Sequence, residues 1–272
     1  MNGKTQKPWA LVTGASAGIG TEFCRQLAVK GYDMVLVARR AGRLQELADE
    51  LRQAHGADSL VVTADLSQRD ASRDIVARLD AEGVEVEYLV NNAGYGLPGS
   101  FHVPGWDEHA DFIQVMITAY CELTWRLLHG MQERKRGFIV NVASVAGLVD
   151  STGAGHTLYG ASKSFLVRFS EALALENRRK GVKVTALCPG FTYSEFHDVN
   201  NTREMVNKLP DYLWLRSEDV VADCLGAMEA DRVKPVVVPG KQYKLMVFIS
   251  RYLPWLARMN SRRMAKHFRV AD

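Results

Sequence analysis

Tyr159 and Lys163 stand four residues apart, the separation that puts a phenol and an ammonium on one face of a helix, one turn from each other. An unperturbed tyrosine titrates near ~10, and a fixed positive charge close by favours the phenolate, so the pair is a candidate general acid/base. The same spacing also fits an exposed aromatic beside a solvated lysine. Upstream, the run Phe138-Ile-Val-Asn141-Val-Ala-Ser144 delivers a hydroxyl to the end of an apolar stretch. A serine opening a loop is unremarkable unless the fold lets it face that phenol across a bound carbonyl.

Such residues need elements to position them. Short apolar runs at Trp9–Val12, Met34–Val37, Leu60–Thr63, Tyr88–Val90, Phe138–Val142, Val182–Leu187 and Pro235–Val238 read as buried strands. Helical periodicity is expected over Thr21–Lys30, Ala41–Ala54, Ala71–Ala81, Asp107–Lys135, Ala161–Lys180 and Glu218–Met228. Strands that are continuously apolar and alternate with helices predict an α/β fold, a doubly wound parallel sheet of about seven strands with helices on both faces. No internal repeat or linker breaks the chain before residue 240, so residues 1–240 are expected to form one dinucleotide-binding catalytic domain.

The first strand ends in Thr13-Gly14-Ala15-Ser16-Ala17-Gly18-Ile19-Gly20 and enters a helix. Gly14 suits a tight turn, and Gly18 and Gly20 let backbone approach a pyrophosphate and the neighbouring strand. At the second strand's end, where an acidic residue would bind ribose hydroxyls, the chain reads Val37-Ala38-Arg39-Arg40. Guanidinium forks match a phosphate, so Arg39 and Arg40, with Ser16 as a further donor, point to NADP(H) rather than NAD(H). The two arginines also fit solvated charges opening a helix. Asp65-Leu66 follows the third strand, where the carboxylate suits an adenine amine or a cap for a helix near Ser67. Asn91-Asn92-Ala93-Gly94 follows the fourth, at the sheet end where open α/β folds bind ligands.

Together these residues resemble the short-chain dehydrogenase/reductase family over roughly residues 8–240. The resemblance rests on Thr13 to Gly20, on Asn91 to Gly94, on Ser144, on Tyr159 with Lys163, and on Pro189-Gly190 after the sixth strand. It implies that Tyr159 is the catalytic acid/base, that Lys163 lowers its pKa and holds the nicotinamide ribose, and that Ser144 binds the substrate oxygen. The implied cofactor contacts are Gly14, Ser16, Gly18, Ile19, Gly20, Arg39, Arg40, Asp65, Leu66, Asn92, Ala93, Gly94, Tyr159, Lys163, Pro189, Gly190, Thr192 and Ser194. A substrate loop is implied over about 195–216. The expected function is NADP(H)-dependent reduction of a carbonyl compound, and the alternative is a member that binds dinucleotide without efficient turnover, as a sensor or assembly partner.

Two departures stand out. Many members place an asparagine in the long helix after Asn-Asn-Ala-Gly to hold a proton-relaying water. Here Phe112-Ile-Gln-Val-Met116-Ile-Thr118 puts a thioether there, at best a weak acceptor. The Ser144-to-Tyr159 interval is also about two residues longer than the family leads one to expect, with the insert Ser151-Thr-Gly-Ala-Gly-His156.

Composition narrows the class. The net charge of +3 over 272 residues does not suggest nucleic acid. Cys24, Cys121, Cys188 and Cys224 are scattered without metal spacing, and no signal peptide or spanning run is visible, which points to a reduced, cytoplasmic setting. Residues 241–272 differ: eight Lys/Arg face one acid, interleaved with Tyr243, Leu245, Phe248, Tyr252 and Trp255. This basic amphipathic extension suits a lid over a lipophilic pocket, an interface in a homo-oligomer, peripheral membrane contact or a solvated tail.

Overall fold

The computed structural model describes residues 7–97, 99–149, 157–195 and 210–253. Seven strands, β1 (Trp9–Thr13), β2 (Asp33–Ala38), β3 (Ser59–Thr63), β4 (Val86–Asn91), β5 (Gly137–Val142), β6 (Val182–Leu187) and β7 (Val236–Val237), form one sheet in the order β3-β2-β1-β4-β5-β6-β7. Every pairing is parallel. The connecting helices are α1 (Gly18–Val29), α2 (Ala41–His55), α3 (Ala71–Ala81), α4 (Trp106–Ile113), α5 (Ala119–Glu133), α6 (Thr157–Asn177) and α7 (Ser217–Glu229), and α8 (Lys241–Tyr252) follows β7.

The two faces of the strands explain their continuous apolar runs. Alternate residues Ala10, Val12, Met34, Leu36, Val90 and Val140 pack with Phe23, Leu27, Leu44, Leu51 and Leu225 from α1, α2 and α7. Leu11, Val35, Val37, Leu89, Ile139 and Val184 pack on the other face with Ile75, Leu79, Leu123, Met131 and Leu173 from α3, α5 and α6. Burying each such side chain contributes roughly 1.5–3 kcal/mol, and a parallel sheet is stable only when helices cover both faces. Because β1 pairs with both β2 and β4, the order of strands reverses there. The carboxyl ends of β1 and β4 flank the crevice in which open α/β sheets bind ligands.

The single helix expected over Asp107–Lys135 runs unbroken from Trp106 to Glu133, with a change of winding in its middle. Between α4 and α5, Gln114–Thr118 form a π-helical turn, which widens the backbone ladder at the position of Met116. The expected helix over Ala161–Lys180 instead begins at Thr157, so Tyr159 lies in its first turn. The 151–156 insert, most of the 195–216 loop and the residues after 253 lie outside the described residues.

Candidate active site

Thr13 ties the first strand to the fourth. Its hydroxyl accepts hydrogen bonds from the backbone N–H groups of Asn92 (2.9 Å) and Ala93 (3.0 Å), and the Asn92 amide donates back to the Thr13 carbonyl at 2.9 Å. The glycine turn packs into this junction. Gly14 has φ +66°, and a Cβ there would stand 2.8 Å from the Asn92 amide nitrogen; one on Gly20 would stand 2.2 Å from the Gly14 carbonyl oxygen. Gly18 also takes a left-handed conformation, with φ +55°, and Ser194 occupies the space that its Cβ would need. The glycine motif and Asn92-Ala93-Gly94 are therefore one interlocked unit, with Ile19 packed against the core beneath. A Cβ on Gly94 would in turn meet the Met116 sulfur at 2.8 Å, so the fully buried thioether lies directly against this unit.

Arg40 and Ser16 are brought together as expected: Nη2 of Arg40 donates to the Ser16 hydroxyl at 3.0 Å. Arg39 is exposed beside them. A third arginine, Arg43, joins the cluster, and Nη1 of Arg43 (2.6 Å) and Nη1 of Arg40 (2.9 Å) both donate to the Glu195 carboxylate. Arg43 lies in the first turn of α2, three positions after the N-cap residue Arg40, a nearness that the sequence reading passed over. The two guanidinium groups hold the Glu195 carboxyl below its ordinary range, Arg43 contributing more.

Asp65 serves a local turn. One of its carboxylate oxygens accepts from the Ser67 N–H at 3.0 Å, whereas α3 begins only at Ala71, so the carboxylate closes an Asx turn and does not cap a helix at Ser67. Leu66 is buried in the core.

Ser144, Tyr159 and Lys163 converge at the ends of β5 and α6. Ser144 caps the short 3-10 turn Val145–Gly147, its hydroxyl accepting from the Ala146 N–H at 3.1 Å. That turn sits hard on α6: a Cβ on Gly147 would be 2.5 Å from the Lys163 carbonyl carbon. Lys163 is buried, donates to the Val142 carbonyl at 2.8 Å, and places its ammonium 5.6 Å from the Tyr159 ring centre and 5.9 Å from that of Tyr120. Tyr120, another residue not singled out from the sequence, donates from its hydroxyl to the Ala93 carbonyl at 3.0 Å.

Burial governs the titration of both groups. It pushes the Lys163 amine down to about 7 and the Tyr159 phenol up to about 12, while a hydrogen bond from Ser144 to the phenol oxygen works the other way. Burial is thus the larger influence on the phenol, and the Lys163 ammonium expected to lower it is bonded to the Val142 carbonyl.

Beneath the site a buried polar chain joins four elements. The Asn91 amide donates to the Asn141 side-chain oxygen (2.9 Å) and to the Thr124 hydroxyl (3.1 Å), and the Asn141 amide donates to the Ser170 hydroxyl at 2.9 Å. These bonds fix β4, β5, α5 and α6 in one register, since slippage would strand buried polar groups.

After β6, Pro189 accepts from the Val145 N–H at 3.0 Å, which ties this segment to the turn that Ser144 begins. Thr192 is buried, its hydroxyl donating to the Gly190 carbonyl at 3.0 Å. Gly190 meets the C-terminal helix: a Cβ there would fall 1.9 Å from the Tyr243 ring. The Tyr243 hydroxyl donates to the Leu213 carbonyl (2.5 Å) and accepts from the Phe191 N–H (2.9 Å), clamping the two ends of the chain that flank residues 196–209. On its side-chain side Gly190, expected at the cofactor, is thus packed against an internal aromatic. The outer face of α8 exposes Leu245, Phe248 and Tyr252 together with Lys241, Lys244 and Arg251.

Among the described residues no group of three or more His, Cys, Asp or Glu is placed to hold a metal ion, and no helix is long and apolar enough to cross a membrane. The family model for short chain dehydrogenase matches residues 8–205. A very-long-chain 3-oxoacyl-CoA reductase from Anas platyrhynchos is 35% identical over 196 residues, which is 71% of this chain and 62% of that relative, so the chain matches less than two thirds of the relative's length. Two solved structures superpose over nearly the whole chain. A short-chain dehydrogenase from Sphingobium yanoikuyae in complex with NADPH has a TM-score of 0.79 and 29% identity, covering 97% of each chain. A short-chain dehydrogenase/reductase from Burkholderia phymatum in complex with NAD has a TM-score of 0.79 and 25% identity, covering 93% of this chain and 95% of the other.

Proposed function

Since the chain belongs to the short-chain dehydrogenase family, an oxidoreductase family, we propose that it is an NADP(H)-dependent enzyme that reduces a lipophilic ketone or aldehyde. The observation that carries the reading is the convergence of Ser144, Tyr159 and Lys163 beside the glycine turn. The residues present suit a phosphorylated dinucleotide: Gly14, Gly18 and Gly20 keep side chains off the turn at the start of α1, and Arg39, Arg40, Arg43 and Ser16 supply donors for a phosphate at the end of β2. Lys163, Asn92, Thr192 and Ser194 complete the wall on the nicotinamide side. When bound, the reduced nicotinamide supplies the hydride.

The protein's own part is proton delivery and alignment. A phenol held up at about 12 is protonated throughout the neutral range, which suits a donor to a developing alkoxide. Ser144 donates to the same oxygen and fixes its distance from Tyr159. Lys163 keeps its amine at the base of the site, where protonation places a positive charge beside the phenolate that forms. The lipophilic substrate class rests on the long-chain acyl relative and on the apolar character of Tyr193, Trp214 and α8 around the 195–216 segment.

Mixing the protein with NADPH and ketones, aldehydes and long-chain 3-oxoacyl thioesters, and following the loss of nicotinamide absorbance, tests the reading. Turnover of at least one class, falling by roughly 10²–10⁴ in Tyr159→Phe, is the expected result. A second reading, dinucleotide binding without turnover, is favoured by Met116 and predicts NADPH binding with no substrate reduced. Exposed Trp125 on α5 and Phe165 and Leu175 on α6 suit contact with a second copy, and the cationic face of α8 suits an anionic membrane surface. Light scattering and vesicle cosedimentation measure these two associations.

A further inference from the structure

The Arg40–Arg43 pair already holds an anion, and that anion belongs to the chain itself. Glu195 receives 2.6 Å and 2.8 Å hydrogen bonds from Arg43 and a 2.9 Å bond from Arg40, while the same Arg40 side chain holds Ser16. Glu195 reaches this place because Ser194, its neighbour, packs where a Cβ of Gly18 would stand. The carboxylate therefore lies beside the dinucleotide turn, 155 residues along the chain from Arg40, at the donors best suited to a cofactor phosphate.

We propose that Glu195 is an internal competitor for the 2′-phosphate of the cofactor, so that this residue sets how strongly the protein discriminates NADPH from NADH. The inference rests on the NADP(H) reading above and adds a residue that this reading does not need. Charge decides the competition. Arg40 and Arg43 carry two positive charges, and a phosphomonoester carries about 1.5–2 negative charges at neutral pH, enough to neutralise them alone. With both anions on these same two guanidinium groups, that pair would hold excess negative charge, exposed Arg39 being the one further cation beside it, and Glu195 would face the phosphate as a like charge competing for the same donors. The phosphate is the stronger partner because it presents three acceptor oxygens to the guanidinium forks against two from the carboxylate. NADH has no group to place there, so it leaves the Glu195 pairs intact and gains nothing from their removal.

The test is direct binding of NADPH and of NADH, read by nicotinamide fluorescence, to the wild-type protein, Glu195→Gln, Arg43→Ala and the double variant. Glutamine keeps the size of the side chain at a half-buried surface position, so the fold is preserved. Expected is a roughly 3–10-fold tighter NADPH complex in Glu195→Gln with NADH unchanged, and loss of that gain when Arg43 is also removed. An NADPH affinity in Glu195→Gln equal to or weaker than wild type overturns the proposal, as does an equal gain for NADH. The ratio of variant to wild type judges the inference; the wild-type preference between the two cofactors judges the NADP(H) reading separately. A wild type without preference whose Glu195→Gln variant gains NADPH affinity supports the competitor and removes the preference.

Discussion

The Lys163 ammonium stands 5.6 Å from the centre of the Tyr159 ring while donating a 2.8 Å hydrogen bond to the Val142 carbonyl. Lysine thus reads the end of β5 and tyrosine at the same time, and helix α6 and strand β5 cannot shift relative to each other without breaking that relation. Two desolvated groups at this distance also make the site sensitive to pH.

Lys163 has a folded pKa of about 7 against an ordinary value of 10.5, so between those values the unfolded chain binds a proton that the folded chain does not. Its contribution to stability is therefore present above the unfolded value and lost as pH falls through 7. Thermal melts of wild type and Lys163→Met between pH 6 and 10 should show the wild type gaining relative to the variant as pH rises. A difference independent of pH would mean that the amine is not desolvated.

Gly147→Ala should damage the site from a position outside it. The new methyl would sit 2.5 Å from the Lys163 carbonyl carbon, forcing the 3-10 turn and Ser144 away from α6. Overpacking of this kind costs about 1–3 kcal/mol, and a misplacement near 1 Å costs roughly 10²-fold in rate. Gly226→Ala within α7, where nothing lies within 4 Å, is the control and should stabilise by about 0.5–1 kcal/mol. Denaturant titration and turnover are measured on both.

Tyr243→Phe removes one hydroxyl that serves two backbone partners, the Leu213 carbonyl and the Phe191 N–H. Leaving those groups unpaired should cost about 1–3 kcal/mol in stability. Because they flank residues 196–209, the larger part of the expected substrate loop, the KM for the carbonyl substrate should rise more than kcat falls. An unchanged KM would detach α8 from the substrate side.

Met116→Asn replaces a fully buried thioether, packed on Gly94, with an amide. Stability should fall by about 1–3 kcal/mol, since a polar amide must be desolvated where the thioether now packs on Gly94. Turnover should nevertheless rise if position 116 limits proton resupply to Lys163, and a solvent isotope effect on kcat should shrink with it. An unchanged rate and isotope effect would show that protons reach the site by another route.

Much of this was open to a reader of the residue order alone. The seven strands were legible because a doubly covered parallel sheet demands continuous apolar runs, and the glycine turn because no residue with a Cβ fits at Gly14, Gly18 or Gly20. Tyr159 with Lys163 was legible because helical spacing is a local property. The π-helical turn at Gln114–Thr118 was not, since one extra residue per turn in mid-helix leaves too short a trace in the apolar periodicity.

What the residue order determines by itself is therefore what period and local sterics carry, the strands, the helices and the glycine turn, together with what its motifs imply by resemblance, the family and the candidate roles of Ser144, Tyr159 and Lys163. Only the tertiary structure decided which charges and cavities these residues meet. The pairing of Glu195 with Arg40 and Arg43 spans the sheet, the Tyr243 ring fills the space over Gly190, and burial raises the Tyr159 phenol where a nearby lysine alone would lower it. Each is a contact between segments distant in the chain, and desolvation and close packing act through space, where spacing along a sequence leaves no trace.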